Sequence, residues 1–179
     1  YQYKGTYIMN AVKSGLMIID QHRAHVRILY EQYLAQLATQ KSATQTVLFP
    51  ESFQLSATQR IVYEKIADEM SAMGFDIQDL GAGNYAINGI PAGLEGVNPV
   101  RLVIEMVDTA AENTVSIKED IDESLALSMA RSAAIPQGQV LSNVEMENIV
   151  NSLFLCKNPN VTPDGKTILC ILKQTEIEH

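Results

Sequence analysis

The run Leu16-Met17-Ile18-Ile19, followed at once by Asp20-Gln21-His22, constrains the fold of this chain most. A continuous apolar run of this length is typical of a buried strand. The preceding Lys13-Ser14-Gly15 predicts a turn that pairs it with a strand from Tyr3 to Val12. Apolar residues then recur at helical spacing, at Val26, Leu29, Tyr30, Tyr33 and Leu37. The chain therefore begins with a β-hairpin and an amphipathic helix, and titratable side chains occupy their junction.

Helix-start signals recur along the rest of the chain. Capping-box patterns open at Ser56, Ser116 and Ser142, each with Gln or Glu three residues later. Asn98-Pro99 predicts another helix, because proline is favoured at the first helical position. Strands are predicted at Gln45–Phe49 (stopped by Pro50), Phe75–Leu80, Tyr85–Ile90 and Thr167–Leu172, and a polar connection at Thr109–Ser116.

This order of elements predicts an α+β (mixed α/β) fold with two lobes. One lobe, residues 1–55 and 110–179, contains both ends of the chain. The other, residues 56–109, is an inserted helix-hairpin-helix lobe that we expect to be external and regulatory. An excursion between two chain segments that share one lobe is a common layout of such folds.

The charge balance argues against direct binding of nucleic acid. The net charge is −8 and the sequence pI is near 4.8, whereas binding to phosphates is driven by basic surfaces. We expect DNA to be touched only weakly or indirectly. No apolar run approaches the roughly 20 residues of a membrane span, so no membrane partner is expected.

The cysteines and the first residue bear on the setting of the chain. Cys156 and Cys170 form no Cys-x-x-Cys pair and have apolar neighbours, which predicts reduced core thiols in a cytoplasmic protein. The first residue is Tyr1, and we expect the chain to be one domain of a longer protein.

His22 and His25 are the first candidates for chemistry. They are three residues apart on a predicted helix, close enough to share a metal ion, but a metal site needs three or four ligands. Glu31, Asp164 and the two cysteines are the other candidates, and none forms a short-spaced ligand pair. Walker, GxGxxG and GxSxG motifs are lacking. The residues alone therefore favour no metal site and no evident active site.

Four motifs nevertheless carry a family resemblance. Asp20-Gln21-His22, followed by a helix that reaches Glu31, resembles the Asp-Gln-His-Ala-x-x-Glu-Arg-Ile-x-x-Glu segment of the C-terminal domain of the mismatch-repair protein MutL. Met129–Ala133 resembles that family's Ala-Cys-Arg/Lys-Ser-Ala, and Thr162–Thr167 its Cys-Pro-His-Gly-Arg-Pro. Gln45-Thr46-Val47-Leu48-Phe49 is similar to its glutamine-led sliding-clamp-binding peptide. The four motifs agree in order and spacing over nearly the whole chain.

Departures from the motifs bear on activity. In family members that nick DNA, metal and catalysis depend on the motif His, the Glu four residues later, the Cys of Ala-Cys-Arg, and the Cys and His of Cys-Pro-His. The chain keeps the His as His22 and the downstream carboxylate as Glu31. The other four positions are Val26, Ala130, Thr162 and Asp164. A hydrolytic metal site needs anionic or imidazole ligands, so the resemblance implies a domain without nuclease activity and without bound metal. Asp20, Gln21, His22, Glu31 and Asp164 are then the remnant of a nuclease motif.

The resemblance also implies partners. We expect a non-catalytic domain that forms a two-fold homodimer through the lobe of both chain ends and joins two N-terminal ATPase domains. ATP and magnesium would bind only in those domains, and this domain would need no cofactor. Gln45, Val47, Leu48 and Phe49 are the candidate clamp-binding residues. Other mismatch-repair proteins such as MutS are further expected partners.

Two alternatives remain open. One is a metal-dependent, DNA-nicking endonuclease with a rearranged ligand set of His22, His25, Glu31 and Asp164. The other is an α/β interaction domain unrelated to MutL. Nicking of plasmid DNA with Mn²⁺ separates the first alternative from the expected dimerisation domain, and a monomeric, differently connected structure would support the second.

Overall fold

The computed structural model describes residues 1–39, 43–94, 96–112 and 118–178. It confirms a mixed α+β fold with antiparallel sheets. The elements in chain order are β1 (Gln2–Tyr3), β2 (Tyr7–Val12), β3 (Gly15–Asp20), α1 (Gln21–Thr39), β4 (Thr44–Gln54), α2 (Ala57–Met73), β5 (Asp76–Gly81), β6 (Asn84–Pro91), α3 (Pro99–Glu112), α4 (Lys118–Ala133), α5 (Asn143–Leu155), β7 (Leu169–Lys173) and α6 (Gln174–Ile177). None of these helices is long and apolar enough to cross a membrane.

Local signals set several helix ends. Ser56 and Gln59 form a reciprocal capping box at the start of α2, which ends at Gly74 in the left-handed conformation. Ser142 and Glu145 form the same box at the start of α5. Both boxes confirm the predictions. The predicted box at Ser116 lies outside the described residues.

The contacts divide the chain into two compact units, Tyr1–Glu31 with Ala134–His179, and Gln32–Ala133. The first unit contains a sheet of order β1-β2-β3-β7, and the predicted hairpin is its centre, with Val12 paired to Gly15. One face of this sheet, here called the inner face, packs on α1 and α5. The core residues are Ile8, Met17, Ile19, Ala24, Ile28, Leu141, Met146, Ile149, Leu153 and Ile168.

The opposite face of that sheet is also apolar. Residues paired directly across antiparallel strands point to the same side, and the register pairs Met9 with Ile18 and Ala11 with Leu16. It also pairs Ile18 with Cys170. Asp20, at the end of β3 opposite Tyr7, also points to this side. The other eight residues of the side are here called the outer face: Tyr3, Tyr7, Met9, Ala11, Leu16, Ile18, Cys170 and Leu172. All eight are half-buried or exposed, although their side chains are of the kind usually found in cores.

The second unit contains a sheet of order β4-β6-β5 with α2, α3 and α4. The predicted stripe of α3 is confirmed, since its four residues are buried: Leu102, Val103, Met106 and Val107. On the sheet, Tyr85 stacks on Phe53 with ring centroids 5.6 Å apart and meets the edge of Tyr63 at 5.1 Å. These aromatic contacts attach α2 to the sheet.

The two compact units have different boundaries from the predicted lobes. β4 pairs with β6 over most of its length, and α4 packs on α3. Both elements therefore belong with the residues that we had placed in the inserted lobe. The assignment of residues 56–109 as a domain of its own stays a prediction.

Four boundary predictions were wrong. A turn at residues 4–6 divides the predicted strand Tyr3–Val12 into β1 and β2. β4 continues through Pro50. A register shift between Thr46 and Glu51 takes residues 47–50 out of the ladder. Proline is tolerated there because its missing backbone N–H is not needed for pairing. α3 extends over residues 109–112, which were predicted as connection. The last strand begins at Leu169 instead of Thr167, and the short α6 that follows was missed.

Candidate functional site: the strand-to-helix junction and the outer sheet face

The Asp-Gln-His motif fixes the junction between β3 and α1. The Asp20 carboxylate accepts a hydrogen bond of 3.0 Å from the backbone amide of Arg23. It also forms an ion pair of 3.4 Å with the guanidinium of Arg23. Asp20 therefore caps the N-terminus of α1, where the helix dipole favours a negative charge. This role is structural.

Gln21 is fully buried and holds three segments together. Its side-chain amide donates to the carbonyls of Gly5 at 2.7 Å and Gln139 at 2.9 Å, and its oxygen accepts from the Gln2 amide at 2.6 Å. The Gln2 amide also donates to the Gln139 carbonyl at 2.7 Å. A buried polar group is stable only when bonded in this way. Gln21 is thus a central polar contact of the first unit.

His22 and His25 contact the backbone of the same residue, Ile135. Nδ1 of His22 donates to the carbonyl of Ile135 at 2.7 Å, since a carbonyl can only accept. Nδ1 of His25 accepts from the Ile135 amide at 2.9 Å, so this nitrogen carries no proton. Burial lowers the pKa of His25 from its usual 6.5, and the nearby His22 lowers it further. Both rings therefore position the segment that follows α4.

Val26 occupies the position of the family's essential glutamate. Its side chain is 4% exposed, and an unpaired carboxylate at such a place would be costly. Ala130, at the position of the first family cysteine, is fully buried in α4 and belongs to the second unit. Neither side chain can ligate a metal.

Glu31 and the buried Arg27 hold the segment after α5. The Glu31 carboxylate accepts two hydrogen bonds of 3.0 and 3.1 Å from the Lys157 amide. Arg27 donates twice to the carbonyl of Val161, at 2.8 and 2.9 Å, and its guanidinium lies 3.7 Å from Glu31. The pair is at i and i+4 on α1, the favourable spacing for opposite charges. Glu31 is therefore engaged with backbone and with Arg27.

The turn that replaces Cys-Pro-His is a closed polar unit. The Thr162 hydroxyl donates to Asp164 at 2.6 Å and accepts from the Lys166 amide at 2.9 Å. The Lys166 ammonium lies 3.5 Å from the Asp164 carboxylate. Thr162 is buried at 4% exposure. Thr162 and Asp164, which occupy the positions of the family's Cys and His, are thus hydrogen-bonded to each other.

The candidate metal ligands of the alternative nuclease do not form one cluster. His22 and His25 meet at Ile135, Glu31 meets Lys157, and Asp164 meets Thr162. Among residues 1–39, 43–94, 96–112 and 118–178, no three His, Cys, Asp or Glu side chains are arranged to hold a metal ion. The geometry does not favour the rearranged-ligand alternative.

Three of the candidate clamp-binding residues, Val47, Leu48 and Phe49, lie on the bulged part of β4, and Gln45 pairs with Ile90 just before it. Val47 is half-buried and Gln45 is exposed, while Leu48 and Phe49 are 88% and 83% exposed. Because β4 is an edge strand and its residues 47–50 leave the ladder, this peptide is accessible from solvent.

The two cysteines differ from the prediction of two core thiols. Cys156 is half-buried and Cys170 is exposed on the outer face, and both are free. Burial raises the pKa of the Cys156 thiol to about 12, and the neighbouring Glu31 adds to this. The core assignment of Cys170 was wrong, because β7 is apolar on both faces and its period gives no orientation.

The outer face was not foreseen as a set of residues. The signal was present, however, since β3 is apolar at both alternating positions from Leu16 to Ile19 and β2 is apolar except at Asn10. A strand of this kind is expected to be covered on both faces.

Comparison with known proteins gives the family. The model of the MutL C-terminal dimerisation domain matches residues 1–141. The chain belongs to this MutL family. It is 52% identical over 99% of its length to the DNA mismatch repair protein MutL of Bacteroides fragilis (strain YCH46), covering 28% of that relative. It is 49% identical over its whole length to the MutL of Parabacteroides distasonis, covering 29%, and 33% identical to that of Flavobacterium johnsoniae over 99%, covering 28%.

The extent of the match has two consequences. The chain spans less than a third of the length of these MutL relatives. Family membership confirms the resemblance found in the four motifs, and the unrelated interaction domain is excluded. The comparison therefore identifies this chain as a MutL dimerisation domain. It does not extend the activities of the longer relatives to this chain.

Proposed function

We propose that this chain is a non-catalytic homodimerisation and interaction domain of a MutL-type mismatch-repair protein. In this proposal it joins two copies of an N-terminal ATPase domain, which would bind the ATP and magnesium that this domain does not need. The cytoplasmic location and the contacts with MutS and other repair proteins belong to the same proposal. The apolar outer face is the observation that carries it.

The outer face has the chemistry of a permanent interface. Tyr3, Tyr7 and Leu172 are 41%, 39% and 40% exposed, and eight such residues form one continuous side of the sheet. Contiguous apolar surface of this kind marks a site of association, and obligate homodimer interfaces are apolar in their core. Because the two partners are identical, a two-fold axis would place each outer face against its copy.

The oligomeric state in solution tests the dimer. Light scattering of the chain at micromolar concentration should give twice the monomer mass. Ile18→Lys and Leu16→Lys each place a charge in the centre of the outer face and should give monomers, because an unpaired buried charge is costly. Leu80→Lys is the matched control, since Leu80 is 52% exposed on β5, outside the first unit, and it should remain dimeric. A parent chain that stays monomeric would sink the proposal.

The absence of nuclease activity is supported by the residues at the replaced positions. Val26 and Ala130 offer no ligand, and Thr162 is bonded to Asp164. Supercoiled plasmid incubated with the chain and Mn²⁺ should stay intact, whereas a rearranged nuclease would nick it. Nicking that survives in Asp164→Ala and His22→Ala would point to a contaminant, and nicking lost in both would establish the alternative.

Docking of a sliding clamp is the second part of the proposal. Leu48 and Phe49 are exposed apolar side chains beside Gln45, which suits insertion into an apolar pocket with a hydrogen bond from the glutamine. In a pull-down with a purified sliding clamp, Gln45→Ala with Leu48→Ala should reduce retention at least about tenfold, as expected for a lost anchor residue. Ile61→Ala, an exposed apolar residue on α2, is the control. Unchanged retention of the double variant would contradict this role.

A further inference from the structure

The second unit contains a groove between the edge strand β5 and helix α2. β6 is the central strand of the sheet, so β5 pairs along one side only. Its other side presents backbone groups that a further strand can bond. α2 packs on the sheet through Tyr63 and Tyr85, and residues of α2 and of the start of β5 line a cavity of about 190 Å³.

The cavity has a mixed lining. Apolar lining residues include Met70 and Phe75, which are themselves 1% and 4% exposed, and the polar ones include Tyr63, Ser71 and Asp76. An apolar cavity of about 150 Å³ accommodates a benzene ring. The cavity is therefore large enough for one aromatic or branched side chain.

The surroundings of the groove are acidic. Asp76 and Asp79 are exposed on β5, and Asp79 is close enough to Tyr63 to contribute to the raised pKa of that phenol. Asp68 is exposed on α2 three residues before Ser71 and so lies on the same side of the helix. Arg60 is a cation on the same side of α2, three residues before Tyr63. The three carboxylates outnumber it and therefore favour a cationic ligand.

We propose that this groove binds an extended basic peptide of a partner protein. The peptide adds a fourth strand along β5 and places one apolar side chain in the cavity above Met70 and Phe75. Backbone hydrogen bonds of the added strand supply affinity, and the cavity and carboxylates supply specificity. This surface is separate from the outer face of the first unit and from the bulge of β4.

Binding of a designed probe tests the proposal. The probe is a capped nonapeptide of alternating lysine and valine with phenylalanine at its centre, and the same peptide with glutamate for lysine is its counterpart. Titration of the full 179-residue chain, followed by amide chemical shifts, should move resonances of β5 and α2 with the lysine peptide only. Shifts confined to the β4 edge, equal binding of the glutamate peptide, or no saturable binding up to about 1 mM, a weak limit on the affinity scale, would overturn it.

Two variants address the cavity and the charges separately. Ala67→Phe fills the cavity from α2 and should weaken binding at least about tenfold, as for a blocked anchor pocket. Ala111→Phe, at an exposed position of α3, is its matched control and should bind like the parent. If circular dichroism shows that Ala67→Phe does not fold, the double variant Asp76→Asn with Asp79→Asn tests the proposal instead. It should weaken peptide binding and reduce the salt dependence of that binding without filling the cavity.

A second copy of the chain is the competing occupant. Light scattering separates the two, since Ala67→Phe should leave the mass unchanged. A loss of self-association in that variant would show that β5 pairs with a copy of itself and would overturn the peptide proposal. Full binding of the peptide by both variants would also overturn it.

Discussion

Nδ1 of His25 accepts a hydrogen bond from the backbone amide of Ile135 at 2.9 Å, and this bond exists only while that nitrogen is unprotonated. His25 is thus neutral in the folded chain, and its pKa is lowered by burial and by His22. The unfolded chain protonates near the ordinary value of 6.5. The bond therefore couples folding to pH.

The first prediction is a loss of stability on mild acidification. Between 6.5 and the lowered folded pKa the unfolded state binds more protons, so the free energy of unfolding falls as the pH falls through this window. The contribution is fully present above 6.5. Urea unfolding at pH 7.5, 6.5 and 5.5 measures it. His25→Gln should flatten the slope in this window, and an unchanged slope would contradict the assignment.

The second prediction concerns Gln21. Its replacement in Gln21→Leu removes three hydrogen bonds of a fully buried side chain, although the Gly5 and Gln139 carbonyls each keep one other donor. The loss should cost about 1–3 kcal/mol of unfolding free energy. Gln36→Leu, at an exposed position of the same helix, should stay within about 0.5 kcal/mol of the parent. Chemical denaturation of both variants compares them. Equal stabilities would remove Gln21 from its central role.

The third prediction uses the cysteines as reporters. Cys156, with its pKa raised to about 12, is almost entirely thiol at pH 8 and should react slowly with iodoacetamide. Cys170 is exposed in the single chain but lies on the outer face, so dimerisation should protect it. Mass spectrometry should find Cys170 labelled faster in Ile18→Lys than in the parent. Equal rates would place Cys170 outside the interface.

The fourth prediction concerns Gly15, where β3 approaches β7. Its φ is +145°, and an added Cβ would lie 1.9 Å from the Leu172 carbonyl oxygen. Gly15→Ala should therefore destabilise by more than about 1 kcal/mol. Gly93→Ala has a φ of +92° with no atom within 4 Å of the added Cβ, so it measures backbone strain alone and should cost less. Thermal unfolding ranks the two, and the reverse order would exclude the contact with Leu172.

Features with a local cause could be predicted from sequence. The capping boxes at Ser56 and Ser142 and the turn before Gly15 depend on residues a few positions apart, and their chemistry is complete within the segment. The α3 stripe is equally local, because its period alone gives the buried face. The four family motifs were recognisable for the same reason.

Features that depend on distant segments could not be predicted. Gln21 is hydrogen-bonded to Gln139, 118 residues later. No residue near Gln21 in the sequence indicates that partner. β4 passes Pro50 because β6 supplies a ladder on both sides of the bulge. Because β7 is apolar on both faces, its sequence allows either face to point to the core. Its register with β3 turns Cys170 to the exposed face. The outer face exists only once four strands are in register.

The turn at Thr162 has an evolutionary consequence. Thr162, Asp164 and Lys166 satisfy one another, so a single reversion such as Asp164→His would discard a hydrogen bond and an ion pair without restoring a set of ligands. Val26 and Ala130 would still be apolar and buried. If nuclease chemistry is absent as proposed, an evolutionary return to the family's ligands would therefore lower the stability of this turn before any metal site was complete.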